Sequence, residues 1–259
     1  MLRFFGLFLL LNAAALAGAI EGFDYTQGSV LGGQNGGSGF SAPWSDAQTA
    51  LIERIVPGLS YSGLATSPGA ALSDAPVSGQ VAFYTRQLSQ PLGADNTTVF
   101  LSVLLRPESG FGFYGGVNLG GLFIGKSGIT NTYGIEGPTN DISSTSTIAA
   151  AGTTVLLVLR ADFLAGNDEF SLYVNPVVGG GIPAVADATK SDLDTGAINF
   201  LFVNNAGSWT TDEIRIGDTF ASVTTASTPE PATLFVSLLG LAGVSLSSIR
   251  AKRRGLLRD

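Results

Sequence analysis

The chain has 259 residues, 35 glycines, one methionine, no cysteine and no histidine, and its 13 Lys and Arg against 20 Asp and Glu leave a formal charge of −7. Without cysteine there is no disulfide, thiolate nucleophile or sulfur-held metal, and without histidine no Ser-His-Asp triad, imidazole base or His-ligated metal. Catalysis would fall to carboxylates, Lys, Tyr or an oxygen-bound cation, and a charged fraction of 13% with abundant glycine favours short strands joined by turns.

In chain order, residues 1–19 come first. Arg3, an apolar run from Phe4 to Leu11 and a small-residue tail have the layout of a secretory signal peptide. Ala15-Leu16-Ala17 and Ala17-Gly18-Ala19 both offer the small side chains a signal peptidase accepts, and an uncleaved anchor is the alternative. The exported region is then 20–224. Its best helix candidate is Asp46–Ile55, with apolar residues at 47, 50, 51, 52 and 55. Strand-like runs follow at 81–88, 98–105, 111–119, 153–163, 170–175, 198–203 and 214–216, rich in β-branched and aromatic residues and separated by Gly, Asn, Asp and Pro. The pattern predicts an all-β fold, an antiparallel β-sandwich. Within it, Gly166-Asn167-Asp168 is the turn of a hairpin from 153–163 into 170–175.

Calcium is the cofactor this composition best admits, since it takes oxygen ligands from carboxylates on turns. Its candidate ligands are Asn167, Asp168 and Glu169 in the hairpin loop, together with Asp212; the same residues also serve as plain turn formers and solvated surface. Trp44, Trp209 and Tyr114 are candidates for a sugar-stacking platform, with burial in the core as the competing role. A glycosidase needs two carboxylates across one cleft, whereas Asp168-Glu169 and Asp212-Glu213 are adjacent pairs that an extended strand sends to opposite faces. Gly115-Gly116 and Gly120-Gly121 are expected at bends or bulges.

At the far end, Pro229-Glu230-Pro231 precedes Ala232–Ile249, eighteen residues without a charge, and a basic cluster of Arg250, Lys252, Arg253, Arg254 and Arg258. As a helix the run is about 27 Å long, close to the roughly 30 Å hydrocarbon core of a bilayer. The basic residues would stay cytoplasmic and everything before Pro229 outside. Proline, acid, proline, a Gly/Ala/Leu-rich span and an Arg cluster closely resemble the PEP-CTERM sorting signal, covering 229–259, with Thr228 where that family often has Val. The resemblance implies processing by an exosortase and delivery to the cell surface or extracellular matrix of a Gram-negative-type bacterium.

Removing both ends from the charge count leaves seven basic and eighteen acidic residues over 20–228, a charge of −11 that repels nucleic acid. Glu21-Gly22-Phe23-Asp24-Tyr25, the 35–40 stretch with Trp44, Arg160-Ala161-Asp162-Phe163, the hairpin into 171–176 and Asp212–Gly217 together resemble a concanavalin-like, laminin-G-type jelly roll. That resemblance implies two packed antiparallel sheets and recognition of glycan or protein, often with a loop-bound calcium ion. The expectation is a non-enzymatic, exosortase-processed surface protein with a structural or adhesive domain; a calcium-assisted lectin binding extracellular polysaccharide is the alternative, and a glycan hydrolase a third.

Overall fold

The computed structural model describes residues 18–49, 52–73 and 81–227, with the backbone alone for 46–49. The leader 1–17, the Pro229-Glu230-Pro231 motif, the apolar run 232–249 and the basic tail lie outside the described residues, among which no helix is long and apolar enough to cross a membrane.

The described chain forms strands β1 (Ala19–Glu21), β2 (Ser45–Thr49), β3 (Glu53–Pro57), β4 (Gly69–Ser73), β5 (Val81–Leu92), β6 (Thr97–Leu119), β7 (Leu122–Lys126), β8 (Thr132–Glu136), β9 (Ile142–Ile148), β10 (Val155–Phe163), β11 (Glu169–Val174), β12 (Ala188–Lys190) and β13 (Ile198–Gly217), then one helical turn, α1 (Phe220–Val223). Every strand pairing is antiparallel, as the composition predicts.

Two long strands organise the rest. β6 and β13 lie side by side from Leu119↔Leu201 to Phe100↔Gly217. The first half of β6 carries β10, β11 and β12, and the facing half of β13 carries β4, β3 and β1. The second half of β6 carries β7, β8 and β9, and its half of β13 carries β5 and β2. Between the halves the register slips around Gly207 and Trp209, opposite Phe111 and Pro107. Gly110 and Gly207 have φ of 87° and 75° there, and a Cβ on Gly207 would lie 2.6 Å from the Gly112 nitrogen, so the bend requires glycine. One continuous sheet thereby doubles over into two layers.

The layers face one another across a shared core. Val99, Leu101, Val103 and Leu105 of β6 and Leu157, Leu159 and Ala161 of β10 come from the first layer; Ile124, Tyr133, Ile135, Leu201 and Val203 come from the second. The period of two in these numbers is the strand period, and each fully buried aliphatic chain contributes roughly 1.5–3 kcal/mol. A smaller core covers the outside of the first layer, where Phe100, Leu104, Leu156, Val158 and Tyr173 lie under Leu59, Leu64 and the Phe220 and Val223 side chains of α1. Burial on both faces explains why Val155–Leu159 is apolar throughout. Thr219 caps α1 in a reciprocal box with Ser222.

Two expectations change. The helix expected over Asp46–Ile55 is instead β2 and β3: Ser45–Thr49 pairs with Ala82–Thr85, and Glu53 and Ile55 turn inward while Arg54 and Val56 stay half-buried, a period of two. Ladder pairing overrides the local 3.6-residue pattern. β1 opens at Ala19, buried and paired with Ile216, so the fold takes in a residue that the leader pattern claims.

Candidate ligand-binding face

The outer face of the second layer is built by register. Phe83, Asn204, Gly116, Gly125, Gly134 and Ser144 fall in one row across β5, β13, β6, β7, β8 and β9. The next row is Thr85, Phe202, Asn118, Phe123, Glu136 and Ile142. Their chain neighbours Val117, Ile124, Ile135, Leu201 and Val203 are in the core, which places both rows outward. Three consecutive glycines in the first row, all buried, leave room for a neighbouring side chain to lie across the strands.

Tyr114, two residues before Gly116, uses that room. Its ring meets Phe123 edge-on with centroids 5.3 Å apart, and its hydroxyl donates to Glu136 Oε1 at 3.0 Å. At the other end of the rows Phe83 and Phe202 stack at 5.1 Å, with Phe200 6.3 Å from Phe202 and 43% exposed. Asn118 Oδ1 accepts from the Gly121 nitrogen at 3.0 Å and fixes the Gly120-Gly121 reversal, both residues left-handed, that joins β6 to β7.

Two acceptors on this face have no partner among the described residues: Glu136 Oε2 and Asn204 Oδ1, both buried. Burial raises the Glu136 pKa above the usual carboxylate range; the Tyr114 hydrogen bond opposes this and the Asp141 charge adds to it.

The sequence-nominated aromatics separate. Trp44 is 1% exposed, donates from Nε1 to Glu21 Oε2 at 2.8 Å and stacks on Phe23. Trp209 is wholly buried, donates to the Ala206 carbonyl at 3.1 Å and lies edge-on to Phe111. Both indoles are core, because their apolar area outweighs one polar N–H that finds an internal acceptor. Tyr114 alone of the three is on the outer face. Phe83, Phe200 and Phe202 were the missed residues, and the signal was their alternation with inward residues of the same strands.

The calcium candidates are not brought into a site. Asp168 Oδ1 accepts from the Leu164 nitrogen at 3.0 Å and Oδ2 from the nitrogen and hydroxyl of Thr195 at 2.9 and 2.7 Å, so this carboxylate ties two loops together. Asn167 donates to the Ser191 carbonyl at 3.4 Å and Glu169 is exposed at the start of β11. Asp212 is buried on β13 and accepts from the Leu59 nitrogen at 2.8 Å. Among the described residues no three acids form a group able to hold a metal.

The expected divergence of Asp212 and Glu213 also fails. Glu213 has a φ of +49° at a register slip, so alternation breaks and both carboxylates reach the same 59–67 loop. Glu213 accepts from the Ser67 nitrogen and, at 2.6 Å, from Arg215. The pair is spent on holding that loop.

No family model and no curated protein matches the chain. Among solved structures, the globular domain of T. cruzi calreticulin aligns with a TM-score of 0.40 and 14% identity over 60% of this chain and 75% of that one. An endo-1,3-beta-glucanase from Streptomyces sioyaensis aligns at 0.38 and 8% identity over 76% and 94%, and the alginate lyase vAL-1 from a Chlorella virus at 0.32 and 7% over 68% and 88%.

Proposed function

We propose that the protein is an exported, non-enzymatic surface or matrix protein whose concanavalin-like jelly-roll domain adheres to neutral polysaccharide through the outer face of the second layer. The observation that carries this reading is the set of rings on that face, Tyr114 against Phe123 and Phe83 against Phe202 with the 43% exposed Phe200, beside the half-buried Asn204. Aromatic rings take the C–H faces of sugars, and a side-chain amide beside them takes hydroxyls. The acidic excess over 20–228 disfavours anionic polymers. The non-enzymatic reading is supported by the acids Asp168, Asp212 and Glu213, whose oxygens accept from the protein's own backbone. The end segments support export, exosortase processing and transient anchoring through 232–249.

Retention of the full chain on immobilised laminarin, dextran and xylan tests the adhesive role. Phe202→Ala and Asn204→Ala should each reduce retention on the polymer that binds, with the melting temperature of the fold nearly unchanged. Equal retention of both variants overturns the assignment. Comparing the full chain with a Pro229–Pro231 deletion in cells tests the sorting claim, which fails when both reach the same size and place.

A further inference from the structure

The outside of the first layer carries a second hollow. Register aligns Arg54, Leu72, Thr210 and Arg106 across β3, β4, β13 and β6, on the same side as Leu104 and therefore facing away from the shared core. Beyond the edge of the smaller core this face is open, and a cleft of about 510 Å³ lies there between the end of β3 and the bend of β6. Val56, Pro57 and Leu72 form its apolar wall; Arg106, Glu108 and Ser208 are on its polar side.

The polar side is pre-set. Glu108 Oε1 accepts from Arg106 Nε at 2.6 Å and from the buried Thr210 hydroxyl, which holds both long side chains in one orientation. Among the described residues these bonds leave Glu108 Oε2 and the terminal nitrogens of Arg106 unengaged. The hollow thus presents one carboxylate oxygen that accepts, a guanidinium edge that donates, and the Ser109 and Ser208 hydroxyls that do either, beside an apolar wall. That set matches a vicinal diol on a ring with a C–H face. It does not match an anion, since the guanidinium charge is already balanced by Glu108.

We infer that this cleft is a second saccharide site, on the opposite outer face from the first, and that the domain bridges two polysaccharide chains. The inference rests on the adhesive reading for its first site but on separate residues for its second. With no aromatic platform the cleft is the weaker of the two, and its value is in avidity: once one face holds a polymer, the second binds at the high effective concentration of a crowded matrix. Bridging of this kind gives a structural role to a protein that performs no chemistry.

Diazirine-bearing trisaccharides of the gluco and xylo series provide the test, photolysed with the full chain in mild detergent and mapped by mass spectrometry. Labels are expected both in peptides spanning 53–58 and 106–110 and in those spanning 200–204. Glu108→Ala should lower the first set about tenfold, the scale of one lost charge-assisted contact set, and leave the second set unchanged. The full chain should also clump particles coated with the polymer it binds, and Glu108→Ala or Phe202→Ala should each abolish clumping. Absence of label in the cleft, or label that survives Glu108→Ala, overturns the inference. Cleft labelling that responds to Glu108→Ala while 200–204 ignores Phe202→Ala sustains the cleft and removes the first face instead.

Discussion

Glu21 and Arg86 form an ion pair with both side chains 1% exposed, joining the first strand of the fold to the middle of β5. Glu21 Oε2 also accepts from the Tyr25 hydroxyl and Trp44 Nε1, both at 2.8 Å, and Oε1 accepts from the Phe23 nitrogen at 2.8 Å. The guanidinium lies 4.3 Å from the Phe40 ring centroid and 5.5 Å from that of Trp44, and it donates to the carbonyls of Gly36 and Ala42. The Glu21–Tyr25 motif, Trp44 and the Gly36 carbonyl therefore converge on one buried ion pair that fastens β1 to β5 of the second layer.

Breaking that pair from one side leaves an uncompensated buried charge, which costs about 3–5 kcal/mol. Arg86→Met should lower the urea midpoint sharply, and Glu21→Gln should do so nearly as much. The double variant Glu21→Gln with Arg86→Met should lose less than the two effects added together. Strict additivity in the denaturation curves would show that the pair is not coupled.

Gly115 and Trp209 set a second limit. A Cβ on Gly115 would lie 2.1 Å from the indole ring, itself fully buried and clamped by Phe111 and the Ala206 carbonyl. Gly115→Ala should destabilise by about 1–3 kcal/mol or more through overpacking. Adding Trp209→Leu should restore part of the loss, read as a melting temperature above that of Gly115→Ala alone. A single variant that melts like the wild type would mean the indole moves freely.

Lowering the pH from 8 to 5 should stabilise this protein. Burial raises Glu53 to about 8, against a weaker opposing hydrogen bond from Asn205, and burial likewise raises Asp212 to about 8. Each group is protonated in the fold but ionised in the unfolded chain between its ordinary value and about 8, so folding takes up protons in that window. Their contribution is complete below pH about 4 and is lost as pH rises through 8. Melting temperatures should fall from pH 5 to pH 8, and Glu53→Gln should flatten the decline. A melting temperature that climbs over this range contradicts the assignment.

Ala19 bears on processing. It is 4% exposed and pairs with Ile216, so removal of residues through 19 would trim β1. Under the proposed export, cleavage after Ala17 leaves the strand whole, and N-terminal sequencing of the mature chain should begin at Gly18. A mature chain that starts at Ile20 and melts at the same temperature would show the first ladder pair to be dispensable.

The strand class was legible in β-branched runs and turn residues, and the hairpin β10–β11 stands where Gly166-Asn167-Asp168 placed its turn. The architecture was less so. Runs at 98–105 and 111–119 read as two strands because Arg106–Gly110 looks like a loop, yet the ladder to β13 continues through it, and 198–203 and 214–216 merge in the same way. β7, β8 and β9 escaped notice because Gly125, Gly134 and Ser144 interrupt the apolar rhythm of these short strands. The candidate face shows why composition is a poor guide to a site. Trp is the residue one nominates for sugars, but here the two indoles fill the core and phenylalanines take the surface.

β13 is the last strand among the described residues and the partner of β1, β4, β5 and β6. Ala19 cannot find Ile216, nor Phe100 find Gly217, until nearly all of the domain has been delivered. Closure over such sequence separations is slow, because the loop entropy is spent before any contact repays it. A chain drawn head first through a narrow pore is thus kept from folding behind it. Under the export proposed above, the strand arriving last acts as a zipper slider, leaving the polypeptide threadable before passage and committing it to shape afterwards.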